Sequence, residues 1–279
     1  EWKGKLEIKL KEPLNNKDDL SIAYTPGVAE PCRAISKDKN EVYNYTWKGN
    51  TIAVVTDGTA VLGLGDIGPE ASLPVMEGKC ILLKEFGDVN AVPICLDTQD
   101  TEEIIAICKA IAPTFGGINL EDISAPRCVE IERRLIEELD IPVFHDDQHG
   151  TAIVVTAALI NSMKLVNKKP EELKVIVSGT GAAGSSIIRM LLKLGIKEIY
   201  GFNINGTIIK EDASKYDFLT KELSEIVNPY SKRTTLAEEI VGSDVFIGVS
   251  APKILTKEMV LSMNKNAIEK ISANGTNLI

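Results

Sequence analysis

The sequence lacks several features that would assign it to other classes of protein. Basic residues are outnumbered, 31 against 40 acidic ones, and the net charge of −9 argues against a nucleic-acid partner. No apolar run reaches the ~20 residues of a membrane span, and the N-terminus lacks the apolar core of a signal peptide. The chain is therefore expected to be cytoplasmic, without a membrane partner.

Paired cysteine spacing is also missing. The cysteines are five, an odd number, in apolar surroundings, which argues against a disulfide framework or a cysteine zinc site. We expect buried free thiols in a reducing compartment, at Cys32, Cys80, Cys95, Cys108 and Cys128.

What is present is an ordinary globular composition, 44% hydrophobic and 25% charged, over 279 residues. This length favours two domains. Short apolar runs alternate with amphipathic segments, which predicts an α/β fold: an N-terminal α/β catalytic domain over 1–150, then a Rossmann-like domain with a parallel sheet over 151–279.

The pattern predicts individual elements in the first half. Strands are expected at Lys3–Leu10, Thr51–Thr56, Ala91–Leu96, Gly116–Leu120 and Ile141–Phe144, and helices at Thr101–Ala112 and Ala125–Leu139. Residues 11–20 are polar and predict a loop. The segment Thr151–Val166 is apolar on all sides, which predicts a buried helix between the domains.

A glycine-rich turn marks the second half. It follows a predicted strand, Leu173–Val177, and opens a helix that ends at Leu194, and a second strand, Glu198–Phe202, comes next. This context predicts a dinucleotide site in which the turn closes on a pyrophosphate. The expected contacts are Gly179, Gly181, Ala182, Ala183 and Gly184.

Asn203 ends the second strand, where an acid commonly binds the adenosine ribose. Asparagine can hydrogen-bond but carries no charge against a 2′-phosphate, so NAD and NADP both stay open. A further strand, Asp244–Val249, precedes Ser250, another expected cofactor contact. No strand is expected after the helix that Thr256 caps, so the domain is predicted to be incomplete beyond Asn266.

Two pairs of acids follow predicted strands, Glu121-Asp122 and Asp146-Asp147. A parallel sheet would bring both pairs to one edge, where carboxylate oxygens suit Mg²⁺ or Mn²⁺. Two alternatives remain: solvated loops that cap helices, or zinc held by His145 and His149. Zinc would require a helix already formed at His145, at a strand-to-helix boundary, so the histidines are interpreted as supporting or surface residues.

Two single residues have competing interpretations. Tyr24, taken alone, is typical of a core ring with its hydroxyl at the rim. Lys79, flanked by apolar residues, either extends to the surface or is a buried base. Tyr24 and Lys79, together with the acids and a dinucleotide fold, suit the oxidation of a 2-hydroxy acid. This chemistry needs a base for the hydroxyl proton, a metal that holds the 2-keto acid, and a donor that protonates the enolate formed if CO₂ leaves.

These motifs, in this order, resemble the malic enzymes over about residues 20–265. The segments that carry the resemblance are Tyr24-Thr25-Pro26-Gly27, Leu62-Gly63-Leu64-Gly65-Asp66, Gly78-Lys79, Leu120-Glu121-Asp122 and Phe144-His145-Asp146-Asp147-Gln148-His149-Gly150-Thr151. Ala60 stands where the long eukaryotic type has a substrate-binding arginine, so the short prokaryotic type is the closer match.

The resemblance implies a role for each matching residue. Lys79 would be the base for the malate hydroxyl and Asp146 the acid paired with it, while Tyr24 would protonate enolpyruvate. Glu121, Asp122 and Asp147 would bind Mg²⁺ or Mn²⁺, and the glycines would hold NAD or NADP. It further implies oxidative decarboxylation of malate to pyruvate and CO₂, and a homodimer whose neighbouring subunits complete the site.

The C-terminal segment departs from the family pattern. Family members carry roughly a hundred residues more and an asparagine-rich turn that contacts malate, and here Asn274 is the candidate substrate contact. The alternatives are a malolactic enzyme, an oxaloacetate decarboxylase, and a nucleotide-binding module without catalysis.

Overall fold

The structure, a computed structural model, describes residues 3–271. It divides into two compact units. The first comprises residues 1–123 and 131–144, and the second residues 124–130 and 145–279.

Helices and strands alternate through both units. The helices are α1 (Lys17–Ala23), α2 (Ala29–Lys37), α3 (Val42–Tyr45), α4 (Pro69–Gly87), α5 (Thr101–Ile111), α6 (Arg127–Glu138), α7 (Asp146–Val166), α8 (Ala182–Leu194), α9 (Phe218–Ser224), α10 (Leu236–Glu239) and α11 (Lys257–Ser262). The strands are β1 (Thr51–Thr56), β2 (Asn90–Cys95), β3 (Gly117–Leu120), β4 (Val143–His145), β5 (Lys174–Ser178), β6 (Glu198–Asn203), β7 (Gly206–Thr207), β8 (Val245–Gly248) and β9 (Ile268–Ile271).

The first unit is organised on a four-stranded sheet of order β2-β1-β3-β4. β1 pairs in parallel with both β2 and β3. Its central residues, Ala53, Val54 and Val55, are fully buried, as expected for a strand covered on both faces. Val54 packs with Met76 and Cys80 of α4, so this helix covers one face of the sheet.

The N-terminal segment contradicts the prediction. Residues 3–10 form no strand, and Ile8 and Leu10 are exposed. The alternating pattern requires a sheet to pair with, and this segment has no partner strand in the described chain. The loop predicted over 11–20 is interrupted by α1, which begins at Lys17 because the Asn16 side chain accepts the N–H groups of Asp18 and Asp19.

The second unit has a five-stranded sheet of order β7-β6-β5-β8-β9. All pairs are parallel except β6 with the short β7. Alternate residues of β5 face two separate cores: Val175 and Val177 join one cluster, and Ile176 joins the other with Tyr200 and Phe246. The sheet is therefore covered on both faces, and the predicted α/β fold with a Rossmann-like second sheet is confirmed.

A strand does follow the helix that Thr256 caps, so the prediction that none would is wrong. β9 pairs with β8 in the register Val245↔Ile268. The sequence around it carries charged residues and few apolar ones, and such an edge strand is specified by its neighbour rather than by its own pattern. Asn274, the candidate malate contact, lies outside the described residues.

α7 differs from the prediction of a helix buried on all sides. It begins at Asp146, and one face contributes Ala152, Val155 and Leu159 to the core of the second unit. On the opposite face Val154 is exposed and Leu165 is 88% exposed. Over its 21 residues α7 is long and apolar enough to cross a bilayer, contrary to the sequence-based expectation, yet it is a core helix of this unit.

The remaining predicted elements are confirmed to within a few residues at their ends. The helix predicted from Thr101 is capped one residue earlier, by Asp100, whose side chain accepts the N–H of Glu103. The described cysteines are free thiols, as predicted, but Cys32 is exposed and Cys95 is only partly buried.

Candidate functional site

The predicted base and the first predicted metal ligand lie together in the first unit. Lys79, on α4, places its Nζ 3.0 Å from Oε1 of Glu121, which follows β3. Both side chains are largely removed from solvent, and Glu121 is only 5% exposed. A buried ion pair keeps its charges only when they compensate each other, so the amine and the carboxylate hold one another in place.

Asn119 is a site residue that the sequence analysis missed. Its Nδ2 donates to Oε2 of Glu121 at 2.8 Å, so both carboxylate oxygens of Glu121 are fixed. Residues two apart on a strand point to the same face, and an asparagine inside the apolar run of β3 was the signal. It orients Glu121 rather than offering a second charge.

Asp122 adjoins Glu121 and is also buried, at 3% exposure. Its φ of 54° is left-handed, a conformation that non-glycine residues seldom adopt outside functional or tightly fixed positions. Its carbonyl accepts the N–H of Ala60 at 2.9 Å, so the loop after β1 anchors this turn.

The glycine-rich loop after β1 closes on itself at Gly58. Gly58 has φ +71°, and a Cβ there would lie 2.2 Å from the carbonyl oxygen of Gly68. The Gly58 carbonyl in turn accepts the N–H groups of Ile67 and Gly68. Buried Asp57 holds Thr59 through a hydroxyl contact of 2.6 Å, so the loop is a compact support for the segment that meets Asp122.

Asp146 and Asp147 form the first turn of α7, in the second unit. The Asp146 carboxylate lies over Gly150 so closely that a Cβ there would be 2.5 Å from its Oδ1. Oδ2 of Asp147 lies 3.8 Å from Nε2 of buried His145. His145 is extended, with φ −108° and ψ 109°, so the helical spacing that zinc would need between His145 and His149 is absent from this turn.

Tyr24 follows α1, in the first unit, and its ring is 67% exposed. The interpretation as a core ring is therefore wrong. Its backbone N–H ends the helix by donating to the Leu20 carbonyl at 2.9 Å.

Cys80 adjoins Lys79 on α4 and is a buried free thiol. Burial, followed by the charge of Glu77, raises the pKa of the Cys80 thiol to about 12. A thiol with that pKa stays protonated near neutral pH, so it is a packing residue of the core beside Val54 and Met76.

A pocket of about 500 Å³ opens in the second unit at the carboxyl ends of the central strands. Residues 178–181 after β5 line it together with the last residues of β6 and with Ser250 after β8. Ser250 Oγ lies 3.1 Å from Ser178 Oγ, which ties the two strand ends together. Open α/β sheets bind nucleotides in this position.

The three predicted glycines have three different reasons to be glycine. Gly179 has φ +98°, and a Cβ there would lie 2.8 Å from the Ser250 nitrogen. A Cβ on Gly184 would be 1.8 Å from the Gly179 carbonyl oxygen, so α8 packs against the turn only without a side chain. At Gly181 the nearest atom is 3.9 Å away, which leaves room for a ligand against the backbone.

Four of the residues predicted as cofactor contacts, Gly179, Gly181, Asn203 and Ser250, line this pocket. Ala182 and Ala183 begin α8 beside it, and Gly184 supports the turn from within the helix. That these residues contact a nucleotide stays a prediction.

Several predicted pairings join residues of different units. Lys79 with Asp146, and Glu121 and Asp122 with Asp147, are such sets, and they stay predictions. What the first unit itself brings together is Lys79, Glu121 and Asn119, with Asp122 adjoining.

Two family models match the chain. The malic enzyme N-terminal domain matches residues 3–136, and the alanine dehydrogenase/PNT C-terminal domain matches residues 151–269.

Curated relatives and a solved structure match nearly the whole chain. The NAD-dependent malic enzyme of Geobacillus stearothermophilus is 56% identical over 271 residues, which cover 97% of this chain and 56% of that protein. The bifunctional malic/malolactic enzyme of Bacillus subtilis is 53% identical, covering 97% of this chain and 66% of that protein. The crystal structure of the NAD-dependent malic enzyme from Thermotoga maritima superimposes with a TM-score of 0.95 at 47% identity, covering 98% of this chain and 73% of that one.

The chain therefore spans between about half and two thirds of the length of these two curated relatives.

Proposed function

Because the chain belongs to the malic enzyme family, we propose that it catalyses the divalent-metal-dependent oxidative decarboxylation of malate to pyruvate and CO₂, with reduction of NAD⁺ or NADP⁺. The observation that carries this proposal is the buried contact between Lys79 and Glu121 beside Asp122. It joins a candidate base to candidate metal ligands at the end of one strand.

The two units would divide the work. The first, which includes Lys79 and Glu121, would supply the base and two of the three proposed metal ligands, and the second would bind the nucleotide in the pocket lined by Gly179 and Gly181. The domains proposed from the sequence have the same order of functions, with the catalytic domain over 1–150 and the nucleotide-binding domain over 151–279. We place the enzyme in the cytoplasm and propose a homodimer.

Glu121, Asp122 and Asp147 are the proposed metal ligands. Glu121 and Asp122 follow β3, Asp147 follows β4, and β3 and β4 are neighbours in the sheet. Carboxylate oxygens are the donors that Mg²⁺ and Mn²⁺ prefer, and two of the three acids are buried. When bound, such an ion supplies a Lewis acid that polarises the C2 oxygen of malate and favours loss of CO₂.

Lys79 is the proposed acceptor of the proton from the malate hydroxyl. Glu121 lies 3.0 Å from the Lys79 amine, and an opposite charge at this distance favours the ammonium form. The base role requires that this proton leave first, and engagement of Glu121 by a cation would weaken its hold on Lys79. Asp146, whose carboxylate lies over Gly150, is the proposed partner in this proton transfer.

Tyr24 is the proposed donor of the proton that converts enolpyruvate to pyruvate. A phenol suits this step because it keeps its proton near neutral pH and can still give it to a carbanion-like carbon. The ring is exposed in a single chain, and a second copy that covers it would give the water-poor surroundings that the step needs.

The second candidate function is a malolactic reaction, in which malate yields lactate without net reduction of the nucleotide. It is favoured by the 53% identical relative named a bifunctional malic/malolactic enzyme. An oxaloacetate decarboxylase or a nucleotide-binding module without catalysis lacks comparable support, since Lys79, Tyr24 and the acids are all present.

A paired assay tests the proposal. The whole chain is given malate and Mn²⁺ with NAD⁺ or with NADP⁺, and both the reduced nucleotide and the organic product are measured. We expect nucleotide reduction that requires malate and Mn²⁺, with an equal amount of pyruvate. Lactate without accumulation of reduced nucleotide would favour the malolactic reaction, and no turnover with either nucleotide would refute the proposal.

A further inference from the structure

The nucleotide pocket of the second unit has an unusual charge balance. Among its described lining residues, Asp217 is the one ionisable side chain, and none is lysine or arginine. A ligand in this pocket therefore meets a negative charge from the lining and no positive one. The effect of this charge on nucleotide binding depends on how the Asp217 carboxylate is held and on which part of the nucleotide it faces.

The Asp217 carboxylate is held in place as the N-cap of α9. Oδ1 accepts the Thr220 N–H at 3.0 Å, and Oδ2 accepts the Thr220 hydroxyl at 2.7 Å. Both contacts fix the position of the carboxylate. Asp217 is exposed at the edge of the pocket, and these two contacts to Thr220 hold its carboxylate there.

Asp217 shares the pocket with Phe202 and Asn203, the last residues of β6. In Rossmann-type sheets the adenosine ribose lies at this strand end, and an acid there binds the ribose hydroxyls. Here Asn203 occupies that position, and its Oδ1 is engaged by the Asn205 N–H at 2.8 Å. β6 therefore ends without a negative charge. Asp217, which precedes α9, supplies a negative charge to the same pocket.

Three cations are close to the lining in the sequence, and none of them is a lining residue. Arg127 follows Pro126, and its Nη2 donates to Ser124 Oγ at 3.1 Å. Lys253 lies between two lining residues, Ala251 and Ile254, but is exposed and does not line the pocket. Lys215 is engaged by Asp212 at 2.7 Å. A 2′-phosphate, which carries about two negative charges near neutral pH, would enter the pocket without a lining cation to bind it.

We infer that the fixed carboxylate of Asp217 makes the pocket select NAD⁺ over NADP⁺ by repelling the 2′-phosphate. This inference rests on the proposed function, since it concerns the nucleotide site of that reaction. The residue that selects the nucleotide ordinarily lies at the strand end, here the end of β6. The inference places it instead on the loop before α9.

Binding measurements on the whole chain test the inference without any need for malate. Calorimetric titrations with NAD⁺ and with NADP⁺ compare the wild type with Asp217→Asn, because asparagine is also a strong N-cap and keeps α9 in place. Asp217→Ser, another strong cap, serves if the first variant does not fold. Glu225→Gln is the matched control, since it removes one charge just after α9 from a residue that does not line the pocket.

We expect the wild type to bind NAD⁺ at least about tenfold more tightly than NADP⁺. Asp217→Asn should tighten NADP⁺ binding about fivefold at low salt. Coulomb's law gives an effect of this size for a carboxylate and a 2′-phosphate of about two charges that lie about 8 Å apart in water. NAD⁺ binding should change less than about twofold, and the gain should shrink at about 0.5 M salt. Glu225→Gln should leave the NAD⁺ to NADP⁺ ratio at the wild-type value.

The inference is overturned if the wild type binds NADP⁺ as tightly as NAD⁺, if Asp217→Asn weakens both nucleotides equally, or if Glu225→Gln shifts the ratio as much. Failure to bind either nucleotide would overturn this inference together with the proposed function. Selective NAD⁺ binding without malate turnover would overturn the proposed function and leave the inference standing.

Discussion

Replacing Gly150 by alanine should damage catalysis while leaving the fold as stable as before or more so. Gly150 lies inside α7, where alanine is favoured over glycine by about 0.5–1 kcal/mol. The added Cβ would stand 2.5 Å from Oδ1 of Asp146 and 3.1 Å from its Cγ, and both atoms belong to a side chain that can rotate. The helix therefore keeps its backbone, and the Asp146 carboxylate must move.

The displacement sets the size of the effect. Ordinary contact begins near 3.4 Å, so the carboxylate oxygen must retreat by about 0.9 Å or adopt another rotamer. Misplacing a reacting group by about 1 Å can cost on the order of 10²-fold in rate. If Asp146 takes part in the proton transfer of Lys79, kcat/KM for malate should fall by about 10²-fold.

The assay is malate-dependent nucleotide reduction with Mn²⁺, run beside thermal unfolding of the same preparations. Gly87→Ala is the control, because Gly87 ends α4 and an added Cβ would meet Val89 Cγ2 at an ordinary 3.8 Å. It should keep wild-type activity and stability. Full activity in Gly150→Ala would refute the role of Asp146, and an equal loss in Gly87→Ala would show that the effect is not local.

The remaining predictions concern the base, the metal, the glycine turn and acid stability. Lys79→Ala should lower kcat by about 10²–10⁴-fold with near-normal nucleotide binding by calorimetry, and retained malate oxidation would remove Lys79 from the base role. Asp147→Asn should raise the Mn²⁺ concentration for half-maximal activity at least about tenfold, and an unchanged metal titration would show that Asp147 is not a ligand. Gly184→Ala should destabilise the chain by about 2 kcal/mol or more in urea unfolding, because its Cβ would fall 1.8 Å from the Gly179 carbonyl oxygen; wild-type stability would mean that this turn relaxes freely. Burial alone would raise the pKa of Asp244, but hydrogen bonds led by that from Lys168 hold it below its usual value, so its stabilising contribution is present above about pH 4 and lost as the pH falls through the lowered pKa. Asp244→Asn should therefore lower the free energy of unfolding more at about pH 7 than at about pH 3, and an equal loss at both would contradict the charged role.

Much of the fold could be predicted because its elements carry local signals. The β-branched run of β1 and the periodic apolar face of α5 are sufficient to predict a strand and a helix, and the structure confirms both. The glycine turn after β5 was also readable, since its three glycines stand between a strand and a helix. The errors fall where the local pattern misleads. Residues 3–10 alternate like a strand but pair with no strand among the described residues, whereas β9 pairs with β8 although its own sequence has little strand pattern.

The candidate site could be predicted in its residue types but not in its contacts. Lys79 and Glu121 are 42 positions apart in the sequence, and no spacing rule connects them, yet α4 and β3 bring their side chains to 3.0 Å. Asn119 and Asp217 were missed because each looks like an ordinary strand or capping residue until its neighbours are known. Tyr24, taken alone, is typical of a core ring, yet it is exposed, because burial depends on what covers a residue rather than on its own segment.

The sequence by itself determined which chemical groups the chain possesses and the approximate position of most of its strands and helices, because side-chain chemistry and hydrophobic periodicity are local properties. Only the tertiary structure decided which carboxylate Lys79 meets, why Gly184 must be glycine, and that a capping aspartate also lines the nucleotide pocket. These outcomes depend on contacts between segments far apart in the chain, and close packing fixes such contacts only when the whole fold is assembled.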